Sequence, residues 1–166
     1  MTQLLQKSES KCYVCLRITP EYVLKTAHKV WEEDPETARK IGLKASEIVE
    51  QGYRRNPIFF CGSSAKRVLG GLFYLLGFQY EAPKTIAEVN SVMACSYVTI
   101  KSGYREWLKK FPDFFLEFKL ESYHYDRYSV DGDSLDVDYL TFQGKRVTVL
   151  TARIHDFVEK VFGENE

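Results

Sequence analysis

Apolar residues recur at helical spacing from Thr19 to Phe111 and at strand-like spacing after it. Thr19-Pro20-Glu21 opens the first predicted helix with a cap, a proline at the first position and an acid in the first turn. Val23, Leu24, Ala27, Val30 and Trp31 carry its stripe to about Glu33. Asp34-Pro35-Glu36 starts a second helix in the same way. Ala38, Ile41, Ala45, Ile48 and Val49 extend it to about Gly52, with Gly42 a candidate break, and Asn56-Pro57 ends the region. Gly62-Ser63-Ser64 then caps a helix over 64–77 that is apolar on most sides, as a central helix should be. Its Gly70-Gly71 pair costs roughly 1 kcal/mol of helix propensity per glycine, which close helix–helix approach would offset. Thr85 and Glu88 form a capping box ahead of Ile86, Ala87 and Val89. Ser96 caps a last, basic helix, whose predicted inner stripe is Val98, Tyr104, Trp107 and Leu108, with Ile100 and Phe111 close by.

Strand signals flank this helical stretch. Lys11 to Ile18 is β-branched and aromatic. Phe114 to Val130 partly alternates, and Asp131-Gly132 marks a turn. Val137 to Phe142 and Arg146 to Leu150 flank Gln143-Gly144-Lys145, a hairpin signal. The expectation is a three-stranded antiparallel meander, with 11–18 a candidate fourth strand. A final helix carries Ile154, Phe157, Val158, Val161 and Phe162. The fold class is therefore α+β. Residues 1–18 form a lead and strand, 19–112 a helical bundle, and 113–166 the meander with a C-terminal helix.

Composition narrows the function. A chain of 166 residues with 45% hydrophobic and 28% charged residues reads as a globular protein with a real core. Lys+Arg 23 balances Asp+Glu 23, a mild argument against nonspecific nucleic-acid binding. The charges are segregated, however. Lys101, Arg105, Lys109 and Lys110 sit on the basic helix, while Glu121, Asp126, Asp131, Asp133, Asp136 and Asp138 follow it. No apolar run reaches the ~18 residues of a membrane span, and the first residues have no signal-peptide core. Both point to the cytoplasm (or to the nucleus in a eukaryote), where the four cysteines stay reduced.

Catalytic motifs are missing. There is no Gly-rich phosphate loop, GxSxG or HExxH, and the histidines at 28, 124 and 155 have no motif around them. A Cys–His pair assembled in space is the one route to catalysis left open, and the expectation is a non-enzyme. Cys12-x-x-Cys15 could be half of a zinc knuckle. No second pair follows it, and strand geometry points the two thiols to opposite faces. The aspartates 131, 133, 136 and 138 do not reproduce an EF-hand loop. No metal or cofactor is expected.

The basic helix is the sharper signal. Ser96, Tyr97, Thr99, Lys101, Ser102, Arg105 and Lys109 place small polar and basic side chains where a helix face can read duplex DNA. Lys66 and Arg67, at the start of the preceding long helix, are candidate phosphate contacts, as are Gln79 and Lys84. Ile86-Ala87-Glu88-Val89, a turn, then Ser96, Thr99, Ile100, Lys101, Tyr104, Arg105, Glu106 and Leu108 resembles the helix-turn-helix in the cyclin-like repeats of the transcription factor B family. Val68 to Leu75 resembles the family's small-residue helix, and Gly62-Ser63-Ser64 its Gly-x-Ser motif. The resemblance spans about residues 40–110, one repeat, with no second copy and no zinc ribbon. It departs in the turn, where Asn90 to Cys95 is about three residues longer. One extra turn on the first helix would absorb these (3.6 residues per turn). The resemblance implies a cyclin-like DNA-binding transcription regulator, archaeal or viral, that works with double-stranded DNA and the transcription machinery. The sheet and last helix would supply a homodimer contact. The alternative is a cyclin-like protein-docking module without DNA binding.

Overall fold

The structure, a computed structural model, describes residues 18–61, 64–115, 123–129 and 136–149. Within them the fold is α+β: mostly helical, with a small antiparallel sheet. The helices are α1 (Pro20–Val30), α2 (Pro35–Arg55), α3 (Pro57–Cys61), α4 (Ala65–Gln79), α5 (Ile86–Met93) and α6 (Tyr97–Lys110). A 3-10 turn at Pro112–Phe115 follows, then β1 (Tyr123–Ser129), β2 (Asp136–Phe142) and β3 (Lys145–Val149). The predicted strand at 11–18, except for Ile18, the turn at Asp131-Gly132 and the C-terminal helix lie outside the described residues.

Helix starts follow local chemistry. Each cap oxygen satisfies an amide that the first turn leaves without a partner, at about 1 kcal/mol per cap. Thr19 Oγ1 accepts from Tyr22 N at 3.1 Å, Asp34 Oδ1 from Thr37 N at 3.2 Å, and Ser64 Oγ from Arg67 N at 3.1 Å. Thr85 Oγ1 accepts from Glu88 N at 3.2 Å. Helix α2 is continuous through Gly42, the candidate break. A Cβ there would lie 2.8 Å from Leu24 Cδ2 and 3.3 Å from Ala27 Cβ, so the glycine lets α1 lie against α2. Helix α3 was not foreseen. Asn56 Oδ1 accepts from Phe59 N at 3.3 Å, and α3's buried rings Phe59 and Phe60 pack edge-on to Trp107 with centroids 4.9 and 5.8 Å apart.

Helix α4 is buried along its whole length from Val68 to Phe78. It ends in a Schellman turn: Ala82 N donates to Gly77 O at 2.9 Å and Glu81 N to Phe78 O at 3.3 Å. Glu81 occupies the left-handed position with φ 54°, where glycine is usual. Trp31 Nε1 donates to Ala82 O at 2.8 Å, tying the end of α1 to this turn. The sheet packs on the same helix. Tyr74 Oη donates to Val147 O at 3.2 Å and Tyr123 Oη to Phe78 O at 3.3 Å, while Leu140 and Val147 are buried in the common core.

The strands run in the order β1-β2-β3, all antiparallel, as the expected meander does. Tyr123 faces Phe142, and β2 turns into β3 through Gln143 (φ 51°) and Gly144 (φ 79°). Two positive φ angles in a two-residue loop match the right-handed strand twist. Phe114 is not in a strand. It lies in the 3-10 turn and stacks on Phe111 with centroids 5.3 Å apart. Arg55 holds this turn to the end of α2 with two hydrogen bonds to Asp113, at 2.7 and 3.0 Å, and lies over the Phe114 ring at 4.8 Å.

Candidate nucleic-acid interface

Helices α5 and α6 are joined by Ala94, Cys95 and Ser96 alone. Helix α5 continues through Asn90 to Met93, the extra helical turn expected to absorb the longer segment between the two helices. Ala94 takes the left-handed conformation at φ 54° and ψ 50°, and its amide donates to Asn90 O at 2.8 Å. Ser96 Oγ then accepts from Thr99 N at 3.2 Å to start α6. Turned to satisfy its neighbours, the Asn90 amide donates to Ser96 O and accepts from Tyr97 N, each at 3.2 Å. The Lys66 ammonium donates to Ala94 O at 3.0 Å, placing a positive charge at the C-terminal end of α5. Burial pushes the neighbouring Cys95 thiol up, against the pull of Lys66.

Glycines set how α6 lies on α4. A Cβ at Gly71 would fall 2.5 Å from Tyr104 N and 2.8 Å from Gly103 Cα. One at Gly103 would press on the carbonyl of Arg67, 3.1 Å from its carbon. The backbones therefore touch where the helices cross. Trp107 Nε1 donates to Val68 O at 2.7 Å, and Tyr104 stacks on Tyr74 with centroids 4.9 Å apart. Ile100, Gly103, Tyr104, Trp107 and Leu108 make up the inner face of α6.

The outer face follows by elimination. At about 100° per residue, Val98, Ser102, Arg105 and Lys109 line up opposite the buried stripe over about 16 Å, with Lys101 beside them. Arg105 and Lys109 are exposed. Tyr97 is half exposed, and the Lys101 ammonium lies 5.8 Å from its ring centroid. Glu106, partly buried, stands at the margin of this face.

The structure thus divides the residues expected to touch DNA. Tyr97, Arg105 and Lys109 are exposed, while Lys101 and Ser102 are half-buried on the same side of the helix. Ser96 and Thr99 face each other, with hydroxyl oxygens 2.9 Å apart at the cap. Lys66 serves the turn, and Arg67 is partly buried with its backbone at the α4–α6 crossing. Lys84 is a correction: it pairs with Glu33 and, at 3.7 Å, with Glu88, and its side chain is 16% exposed. Burial raises the Glu33 carboxyl, but the Lys84 hydrogen bond and charge bring it below its usual value. Gln79 is also turned inward, with Oε1 buried. Val98 is the residue that sequence reasoning missed. It was expected in the inner stripe and is 71% exposed. Its two-residue offset from Ile100, about 200° on a helix, was the available signal.

No helix among the described residues is long and apolar enough to cross a membrane. No family model, curated protein or solved structure matches this chain.

Proposed function

We propose that this chain binds double-stranded DNA, with the outward face of α6 in the major groove, as a transcription regulator built on one cyclin-like repeat of the factor B kind. The observation that carries the reading is that face itself. Val98, Ser102, Arg105 and Lys109 form one row flanked by Lys101 on one side and Glu106 on the other, so that the row itself carries two cations and no acid, and a three-residue turn brings α6 off α5. DNA-binding helix-turn-helix motifs join their helices by a turn of this length and place the second helix in the major groove, which is about 12 Å wide. Arginine and lysine suit guanine edges and phosphates, serine suits either base type, and an exposed valine suits a thymine methyl. Lys66 acts here by holding the turn. The transcription machinery is the associated partner, and a homodimer would present two such helices to a two-fold site.

The test is fluorescence anisotropy with duplex DNA titrated across salt, for the wild type and for Lys101→Ala/Arg105→Ala. Wild-type affinity should fall steeply with salt, and the double variant should flatten the slope by up to about 2, roughly one per lost phosphate contact. Absence of binding at about 50 mM salt would refute the reading. The exposed Tyr97 and Val98 pair would then favour docking of a protein partner on the same face.

A further inference from the structure

A cavity of about 450 Å³ lies between the start of α1, the second half of α2 and α3, on a different set of helices from the proposed DNA face. That volume falls within the range of small-molecule sites, about 300–1,000 Å³. Its walls are apolar: Ile18 and Val23 on one side, Val49, Tyr53 and Phe60 on the other. Glu47 and Glu50 line it as well, and no cationic side chain does among the described lining residues. Thr19 caps the start of α1 there, adding a helix-end charge of about +0.5, smaller than two full carboxylates.

Among the described residues, both carboxylates are paired with side chains on their own helix. Glu47 Oε1 accepts from Gln51 at 3.1 Å and lies near Lys44 at 3.8 Å, and Glu50 pairs with Arg54 at 2.7 Å. Such pairs exchange partners at little cost. Ser46, on the same wall, has a buried Oγ that makes no hydrogen bond among the described residues, so turning it toward a bound donor sacrifices none there.

We infer that this cavity binds a small hydrophobic amine, with an aromatic or branched apolar body on Val23, Val49, Tyr53 and Phe60 and a protonated nitrogen at Glu47 and Glu50. The two carboxylates disfavour an anion of the same shape. A neutral hydrocarbon would leave Ser46 unserved and gain nothing from the rim.

The experiment uses the full chain, isotope-labelled, in two-dimensional NMR titrations with 2-phenylethylamine and with 3-phenylpropionate as its acidic counterpart. The amine should give saturable shifts at Ile18, Val23, Val49 and Phe60, with a Kd on the order of 1 mM for a probe of this size. The acid should bind at least about tenfold more weakly, the preference expected from a rim of like charge. Glu47→Gln/Glu50→Gln should abolish the preference, and Val49→Trp, checked for a folded spectrum, should block both probes. Equal binding of amine and acid would overturn the proposal, as would no shift with either at about 10 mM, ten times that Kd. Contacts from the cavity walls to residues before Ile18, with no probe binding, would mean that the chain fills its own cavity and would overturn it equally.

Discussion

Replacing Gly103 with alanine isolates the physics of the α4–α6 crossing, because two effects of opposite sign meet there. Helix propensity alone favours alanine by about 1 kcal/mol. The added Cβ, however, would meet the carbonyl carbon of Arg67 at 3.1 Å and Gly71 Cα at 3.2 Å, with the carbonyl oxygen nearer still. These are backbone atoms inside α4, and no rotamer change can move them. Carbon atoms rest about 3.5–4.0 Å apart, so the helices must separate. Separation strains the 2.7 Å bond from Trp107 to Val68 and the Tyr74–Tyr104 stack. Overpacking costs about 1–3 kcal/mol, sometimes more, and rigid backbone on both sides puts this site at the upper end. The net expectation is a loss of about 2 kcal/mol. For a chain of this size that lowers Tm by roughly 4–8 °C.

Thermal melts followed by circular dichroism, with urea titration as a check, would measure the loss. Gly52→Ala is the comparison. Its Cβ would meet only ring atoms of Phe60 and Phe111, from 3.1 Å outward, so its stability should stay near wild type. Gly71→Ala should resemble Gly103→Ala, and the double variant should cost less than the sum, since both open one crossing. A Gly103→Ala protein as stable as the wild type, or more so, would refute close backbone contact between α4 and α6.

Two further outcomes follow from local features. Ala94→Gly should raise stability by up to about 1 kcal/mol, because an L-residue in the left-handed region costs roughly 1–2 kcal/mol and glycine's greater unfolded-state entropy cancels only part of that; a lower Tm for this variant would contradict the left-handed turn. The Arg55 hydrogen bond, helped by the Arg55 charge, holds the Asp113 carboxyl below its usual value against the opposing effect of desolvation. A depressed folded-state value means stability that is present above the unfolded value, about 3.9, and lost as pH falls through the folded one. Arg55→Met should therefore flatten the decline of Tm below about pH 4, and identical pH profiles for the two proteins would rule the pair out as a source of acid sensitivity.

Much of the helical layout was legible because its signals are local. Thr19, Asp34, Ser64, Thr85 and Ser96 each cap the helix they were expected to cap. The Gly70-Gly71 pair pointed to a close crossing, and the meander followed from alternation around Gln143-Gly144. What sequence reasoning misplaced depends on partners distant in the chain or on residues outside their usual roles. Ala94 ends α5 in a conformation that alanine seldom adopts, so the residue at which the helix stops was not legible, although the extra helical turn through Met93 was. Gly42 reads as a break until α1 is laid against it. Helix α3 spans five residues, too few for a period to show, and its rings are held by Trp107. Lys84 looked free until Glu33, 51 residues earlier, was found beside it. Within the candidate interface, Lys101, Ser102, Arg105 and Lys109 were legible from charge and spacing, whereas Val98 was misassigned by its hydrophobicity.

The glycine crossing also bears on how the chain can change. Because α6 is anchored through backbone contact, Trp107 and Tyr104, its attachment asks little of the four residues that line its far side, three of them exposed and Ser102 half-buried. Val98, Ser102, Arg105 and Lys109 are therefore open to replacement by many side chains without disturbing how the helix is seated. A library randomised at those four positions should remain largely folded while its surface chemistry varies freely. In evolutionary terms, the helix separates the part that must be inherited from the part that selection can rewrite.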